Sequence, residues 1–164
     1  MSYAIKKLLR HMSWANQKVF ESVRGLPDEA LQSFLVNEDW SAAHILHHIA
    51  ESADWYVFCL TQSPWKEPAL PKKMADIESL QKSLLDSDAI ILAQADLPEA
   101  ELTIEENEET WQTLRSTVLT QTIHHATEHR TQLIDALESR GYQPISLDDI
   151  DLWCFARFER GLLS

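Results

Sequence analysis

Cysteine is nearly absent from this chain. The two residues present, Cys59 and Cys154, form no CxxC pair and have no third or fourth partner. That excludes a disulfide framework, a thiolate metal knot and a dithiol redox motif, and the pair reads as two buried thiols of a reducing cytoplasm. Glycine and proline are also scarce, with 3 and 6 residues in 164, so few places favour a turn and long helices are expected. Basic residues are outnumbered, 14 against 26 acidic, for a formal net charge of -12. A charge of that sign repels polyphosphates and anionic bilayers, which argues against nucleic acid and membrane as partners. The local group Lys6, Lys7, Arg10 and Lys18 reads as a solvated helix face. No segment is long and apolar enough to cross a bilayer, and the opening MSYAIKKLLRHMSWANQKVF is broken by charge too often to resemble a signal peptide.

What the chain has instead is helical periodicity. Its length suits one domain, residues 1–164, with its own core. Ile5, Leu8, Leu9, Met12, Ala15, Val19 and Phe20 recur at helical spacing and predict a first helix from 3 to about 24, with Gly25 as its stop. A short helical stretch is expected over 28–34. Ser41 is a good N-cap for a second helix to about 61, striped by Ile45, Leu46, Ile49, Ala53, Tyr56 and Leu60. After a proline-rich loop, a third helix covers 76–97 and stops at Pro98. In the acidic segment 99–110, Leu102 and Ile104 alternate with charges like a short extended piece, but the segment is taken as a loop. A fourth helix is predicted from about 111 to 140, with Gly141 as its stop, and a short last one after the Ser146–Asp149 turn carries Ile150, Leu152, Trp153 and Phe158. The expected fold class is all-α: an antiparallel four-helix bundle with an additional short C-terminal helix.

Seven histidines stand out, and four of them form two HxxxH pairs, His44/His48 and His125/His129. A spacing of four brings side chains nearly above one another on a helix, so two imidazoles can face one ion. On helix four, His125 and His129 fall within or at the edge of the stripe of Val118, Leu119, Ala126, Leu133, Ala136 and Leu137, whereas His124 points away beside Glu128. On helix two, His47 lies opposite the stripe, and His48 is nearer to it than His44, on a flank shared with Ser41, Ser52 and Trp55. The wheel therefore selects His48, His125 and His129 as metal ligands. The competing reading makes His125 and His129 core residues satisfied by Thr122 or a backbone carbonyl. Two neutral imidazoles side by side would then compete for few partners.

The chain resembles the DinB-like family, also called damage-inducible or YfiT-like metalloenzymes, over most of its length. The resemblance rests on Trp14-Ala15-Asn16, on SAAHILHHI from Ser41 to Ile49, on HHATEHRTQL from His124 to Leu133 with its His-x-x-x-His-Arg signature, and on GYQP from Gly141 to Pro144. It implies a four-helix bundle, a divalent ion, commonly nickel or zinc, on His48, His125 and His129, and frequent homodimers. Some relatives are thiol-dependent transferases or isomerases that use bacillithiol or mycothiol.

Three neutral nitrogen ligands leave a divalent ion open to further groups, the pattern of catalytic sites. The expected function is a metal-dependent enzyme acting on a small molecule, with a low-molecular-weight thiol as possible cofactor and S-transfer as the favoured chemistry. The alternative is a non-catalytic divalent-metal-binding stress protein. Glu51 and Glu128 are the nearest acid–base candidates, though both suit plain surface carboxylates. Arg130 suits an acidic substrate or, at least as well, a structural ion pair. The tryptophans suit core or loop anchors, with Trp55 the one placed to line a pocket.

Overall fold

The apolar stripes become four long helices and one short one: α1 over Tyr3–Val23, α2 over Ala42–Thr61, α3 over Ile77–Gln94, α4 over Arg115–Glu138 and α5 over Leu152–Glu159. The computed structural model describes residues 3–106 and 108–163. Helix α1 packs on α3 and α4, and so does α2. The helices thus run round the bundle in the order α1, α3, α2, α4, and α1 and α2 face each other across a diagonal. The connection between them has to cross one end of the bundle, and it does so irregularly, through a single 3₁₀ turn at Asp28–Gln32. The centre is filled by Leu9, Met12 and Phe20 from α1, Ile45 and Leu46 from α2, Leu84 and Ile91 from α3, and Leu119 and Leu133 from α4. Each such side chain contributes roughly 1.5–3 kcal/mol by leaving water.

The all-α expectation is incomplete. Residues taken as a loop form an antiparallel hairpin, β1 over Glu101–Glu106 and β2 over Glu109–Leu114, with Leu102 opposite Thr113 and Ile104 opposite Trp111. A lone hairpin is marginal in water, and this one is fixed to α2. Ile104 is buried, Trp55 Nε1 donates to Glu106 Oε1 at 3.0 Å, and Gln62 Nε2 donates to the Thr103 carbonyl at 3.2 Å.

The hairpin also moves the start of α4 from the expected 111 to Arg115. That terminus is capped from a distance. The carboxylate of Glu99 accepts from the backbone N–H of Ser116 at 3.0 Å and of Ala100 at 3.2 Å, satisfying a donor that the helix itself leaves orphaned. The Ser116 side chain and backbone, in that order, hold the Glu99 carboxyl below its usual range.

Smaller differences follow the same logic. Helix α3 ends at Gln94 rather than 97, and Ile150 lies in a 3₁₀ turn ahead of α5. Trp153 is no anchor, at 82% exposed. Cys59 is buried as expected, whereas Cys154 is partly exposed. The basic group on α1 is a solvated face tied by ion pairs: Lys6 with Asp96, and Lys7 and Arg10 with Glu159. No described helix is long and apolar enough to cross a membrane.

Candidate metal centre

Helices α2 and α4 pack side by side, and the three histidines selected on the wheel meet across that seam. The Nε2 atoms of His48 and His125 stand 3.0 Å apart. The rings of His125 and His129 are 4.2 Å apart between centroids, and those of His48 and His129 are 4.7 Å apart. One ligand atom from each of the three lies within 4.8 Å of the other two. An ion bonded to nitrogen at about 2.1 Å, with bond angles of 90–109°, needs nitrogens roughly 3.0–3.4 Å apart. The His48–His125 pair already meets that separation.

The proton on each ring decides whether such a ligand is usable, and here the structure adds two residues that the sequence did not single out. The indole Nε1–H of Trp40 can only donate, and it donates to Gln132 Oε1 at 3.0 Å. This fixes the oxygen end of the Gln132 amide toward the site. His129 Nδ1 lies 2.9 Å from the same oxygen, so it too has to donate. The proton of His129 is thereby held on Nδ1, and the Nε2 lone pair is left for a metal.

A carboxylate stands behind His48, with Glu51 Oε2 3.6 Å from its Nδ1 and 3.9 Å from that of His47. Glu51 thus sits on the far side of the ring from the Nε2 that faces His125. The other acid–base candidate, Glu128, is exposed, in keeping with its outward place on the wheel.

Burial and mutual proximity favour the neutral form of two of the three rings. Burial, then the neighbouring His129 and His48, pushes His125 down to about 4. Burial also lowers His48, with His129 adding to the effect and Glu51 opposing it. Neutral imidazole is the form that binds metal. Thr122, the side-chain partner in the competing reading, donates its hydroxyl to the Val118 carbonyl at 2.9 Å.

The remaining histidines lie elsewhere. His44 and His124 are exposed, and His44 Nδ1 pairs with the Ser41 hydroxyl at 3.0 Å. His47 is covered by the proline-rich loop, bonding the Pro68 carbonyl at 2.7 Å. His11 bonds the Ile150 carbonyl at 2.7 Å. Trp55, the expected pocket residue, holds the hairpin instead, while Trp40 packs its ring 5.2 Å from His48 and 5.7 Å from His129.

Arg130 is buried and structural. Its Nη1 donates to Asn16 Oδ1 at 2.6 Å, and Asn16 Nδ2 donates to Asp88 Oδ2 at 2.9 Å. Burial lowers Arg130 to about 10, against the pull of Asp88, and raises Asp88 to about 6. The guanidinium and the carboxylate are thus linked through Asn16 inside the bundle.

An apolar recess adjoins the histidines. Leu35, Val36, Ile45 and Ala136 line it beside the polar Asn37, and Trp40 and Gln132, the pair that sets the His129 proton, complete its wall.

Four long helices with a histidine trio on the seam of two of them define a helical-bundle protein with a candidate metal centre. The model of the DinB family matches residues 1–154, and the chain belongs to that family. Neither the curated proteins nor the solved structures contain a significant match to it.

Proposed function

We propose that this chain is a metal-dependent enzyme acting on a small molecule, with His48, His125 and His129 holding one divalent ion, nickel or zinc. The observation that carries the reading is the pair of facing Nε2 atoms 3.0 Å apart, backed by a Trp40–Gln132 relay that turns the third lone pair toward them. Bound there, the ion supplies a Lewis acid with open positions, able to acidify a thiol or a water.

The chain's own residues set the conditions around it. Glu51 and Gln132 orient the ligands. The recess of about 220 Å³ beside Trp40 suits an apolar group of a small substrate. The buried thiol of Cys59 suits no attack, since burial pushes it up to about 12 and a thiol nucleophile must ionise. A low-molecular-weight thiol brought in from solution, with S-transfer as the reaction, fits that arrangement and the family resemblance. Two unpaired cysteines suit the cytoplasm. A homodimer is part of the proposal, and the exposed Trp153 and Leu152 beside Leu8 on α1 offer an apolar face for it.

The test is spectroscopic. Protein loaded with nickel or cobalt is titrated with a small thiol, and the reading expects the d–d bands to shift as the thiol enters. Bands that ignore the thiol would leave a non-catalytic metal-binding stress protein as the better account.

A further inference from the structure

Directly behind His125 the bundle is not fully packed. A cavity of about 10 Å³ lies between α1, α2, α3 and α4, walled by His125, Asp88, Thr122, Tyr56 and Asn16 together with small and aliphatic side chains. That is about the least space that holds one water.

The polar wall is what makes the cavity informative. Asp88 is 1% exposed, and its two oxygens differ. Oδ2 accepts from Asn16 at 2.9 Å, whereas Oδ1 has no hydrogen-bond partner in the protein. Ser13 lies near enough to pull the Asp88 pKa down a little but supplies no such bond to Oδ1. A buried carboxylate oxygen left without a donor is costly, so a native fold rarely tolerates one unless something else bonds it. His125 has the matching need: with Nε2 turned to His48, its other nitrogen, Nδ1, is the one that must carry the proton when the ring acts as a ligand, and that proton needs an acceptor.

We propose that Asp88 is a positioning residue for the metal centre, accepting through one water buried in this cavity from Nδ1–H of His125. The inference rests on the metal reading given above and deepens it. Each ligand then has its own backing: Glu51 behind His48, Gln132 behind His129, and Asp88 through water behind His125. Asp88 also joins the site to the buried Arg130 by way of Asn16.

Zinc alone is the probe, and two measurements decide. In the zinc-bound wild type, nitrogen-correlated NMR of the histidine rings should find His125 protonated at Nδ1, with a cross-peak from that proton to a long-lived water. In competition titrations, Asp88→Asn should bind zinc about tenfold more weakly, at the low end for groups that orient metal ligands. Asn16→Ala, which cuts the link to Arg130 but keeps Oδ1, should stay within about twofold of wild type, so general loosening of the core is told apart from a specific role.

Zinc held by all three histidines with no water at His125, or with Asp88→Asn and Asn16→Ala weakened equally or not at all, overturns the role of Asp88 and leaves the metal reading intact. Zinc not held by the three histidines takes down both. Should Asp88→Asn fail to fold, the water cross-peak in the wild type decides alone.

Discussion

His129 donates its Nδ1 proton to Oε1 of Gln132 at 2.9 Å, and that one bond determines which nitrogen of the ring faces His48 and His125. It cannot be reversed by flipping the amide, because the same oxygen takes the Trp40 indole proton. A ligand is thus preset by a tryptophan in a loop on the other side of the site.

Gln132→Leu removes the acceptor and frees the ring to change tautomer. Zinc affinity should fall roughly ten- to a hundredfold, while Gln132→Glu, which keeps an acceptor, should stay close to wild type. Competition titration against a chromophoric chelator measures both. Equal affinities for the Gln132→Leu variant and the wild type would remove Gln132 from the site.

Acid should act on the metal-free fold through His125. Its pKa is about 4 in the folded chain and about 6.5 when unfolded. Between those values the unfolded state binds a proton that the folded state refuses, so stability falls as pH drops from about 6.5 toward 4. His125→Gln removes that linkage. Urea unfolding of metal-free protein at several pH values should give a shallower loss of stability with acid for the variant than for wild type. Parallel pH dependences would show that His125 is not the group responsible.

Arg130→Met should destabilise the bundle by about 3–5 kcal/mol, because it strands the buried Asp88–Asn16 pair beside no cation. The change reads out as a lower urea midpoint with an unaltered slope. A loss below about 1 kcal/mol would mean that the Asp88–Asn16–Arg130 link is energetically idle.

The parts of the molecule that the sequence made legible are those governed by local periodicity. The stripes of α1, α2 and α3 survive in the structure to within a few residues, and the wheel positions of His48, His125 and His129 were enough to choose three histidines of seven that do converge. What escaped depends on contacts distant in sequence. The first strand of the hairpin offers only Leu102 and Ile104 as an apolar face, too short a pattern to separate from a loop. Its stability comes from Trp55 and Gln62 on another element. The start of α4 was misplaced for the same reason, since its cap is Glu99 across the hairpin and no capping residue precedes the helix.

At the site, Gln132 was within reach of local reasoning: it lies three residues after His129, on the same face of the helix. Trp40 was not, because nothing near it in the chain announces a bond to a residue 92 positions away. Asp88 carried one signal, an acid four residues after Leu84 and three before Ile91 on the apolar stripe of its helix, but its partners sit on α1 and, through Asn16, on α4.

The central claim is that three imidazoles from two helices grip one ion. Elemental analysis of protein purified without chelator, for wild type beside His48→Ala, His125→Ala and His129→Ala, tests it most directly. One divalent ion per chain in the wild type and its loss in every variant is the predicted result. A variant that retains a full equivalent of metal while folded, or a wild type that takes up none when zinc or nickel is supplied, would contradict it.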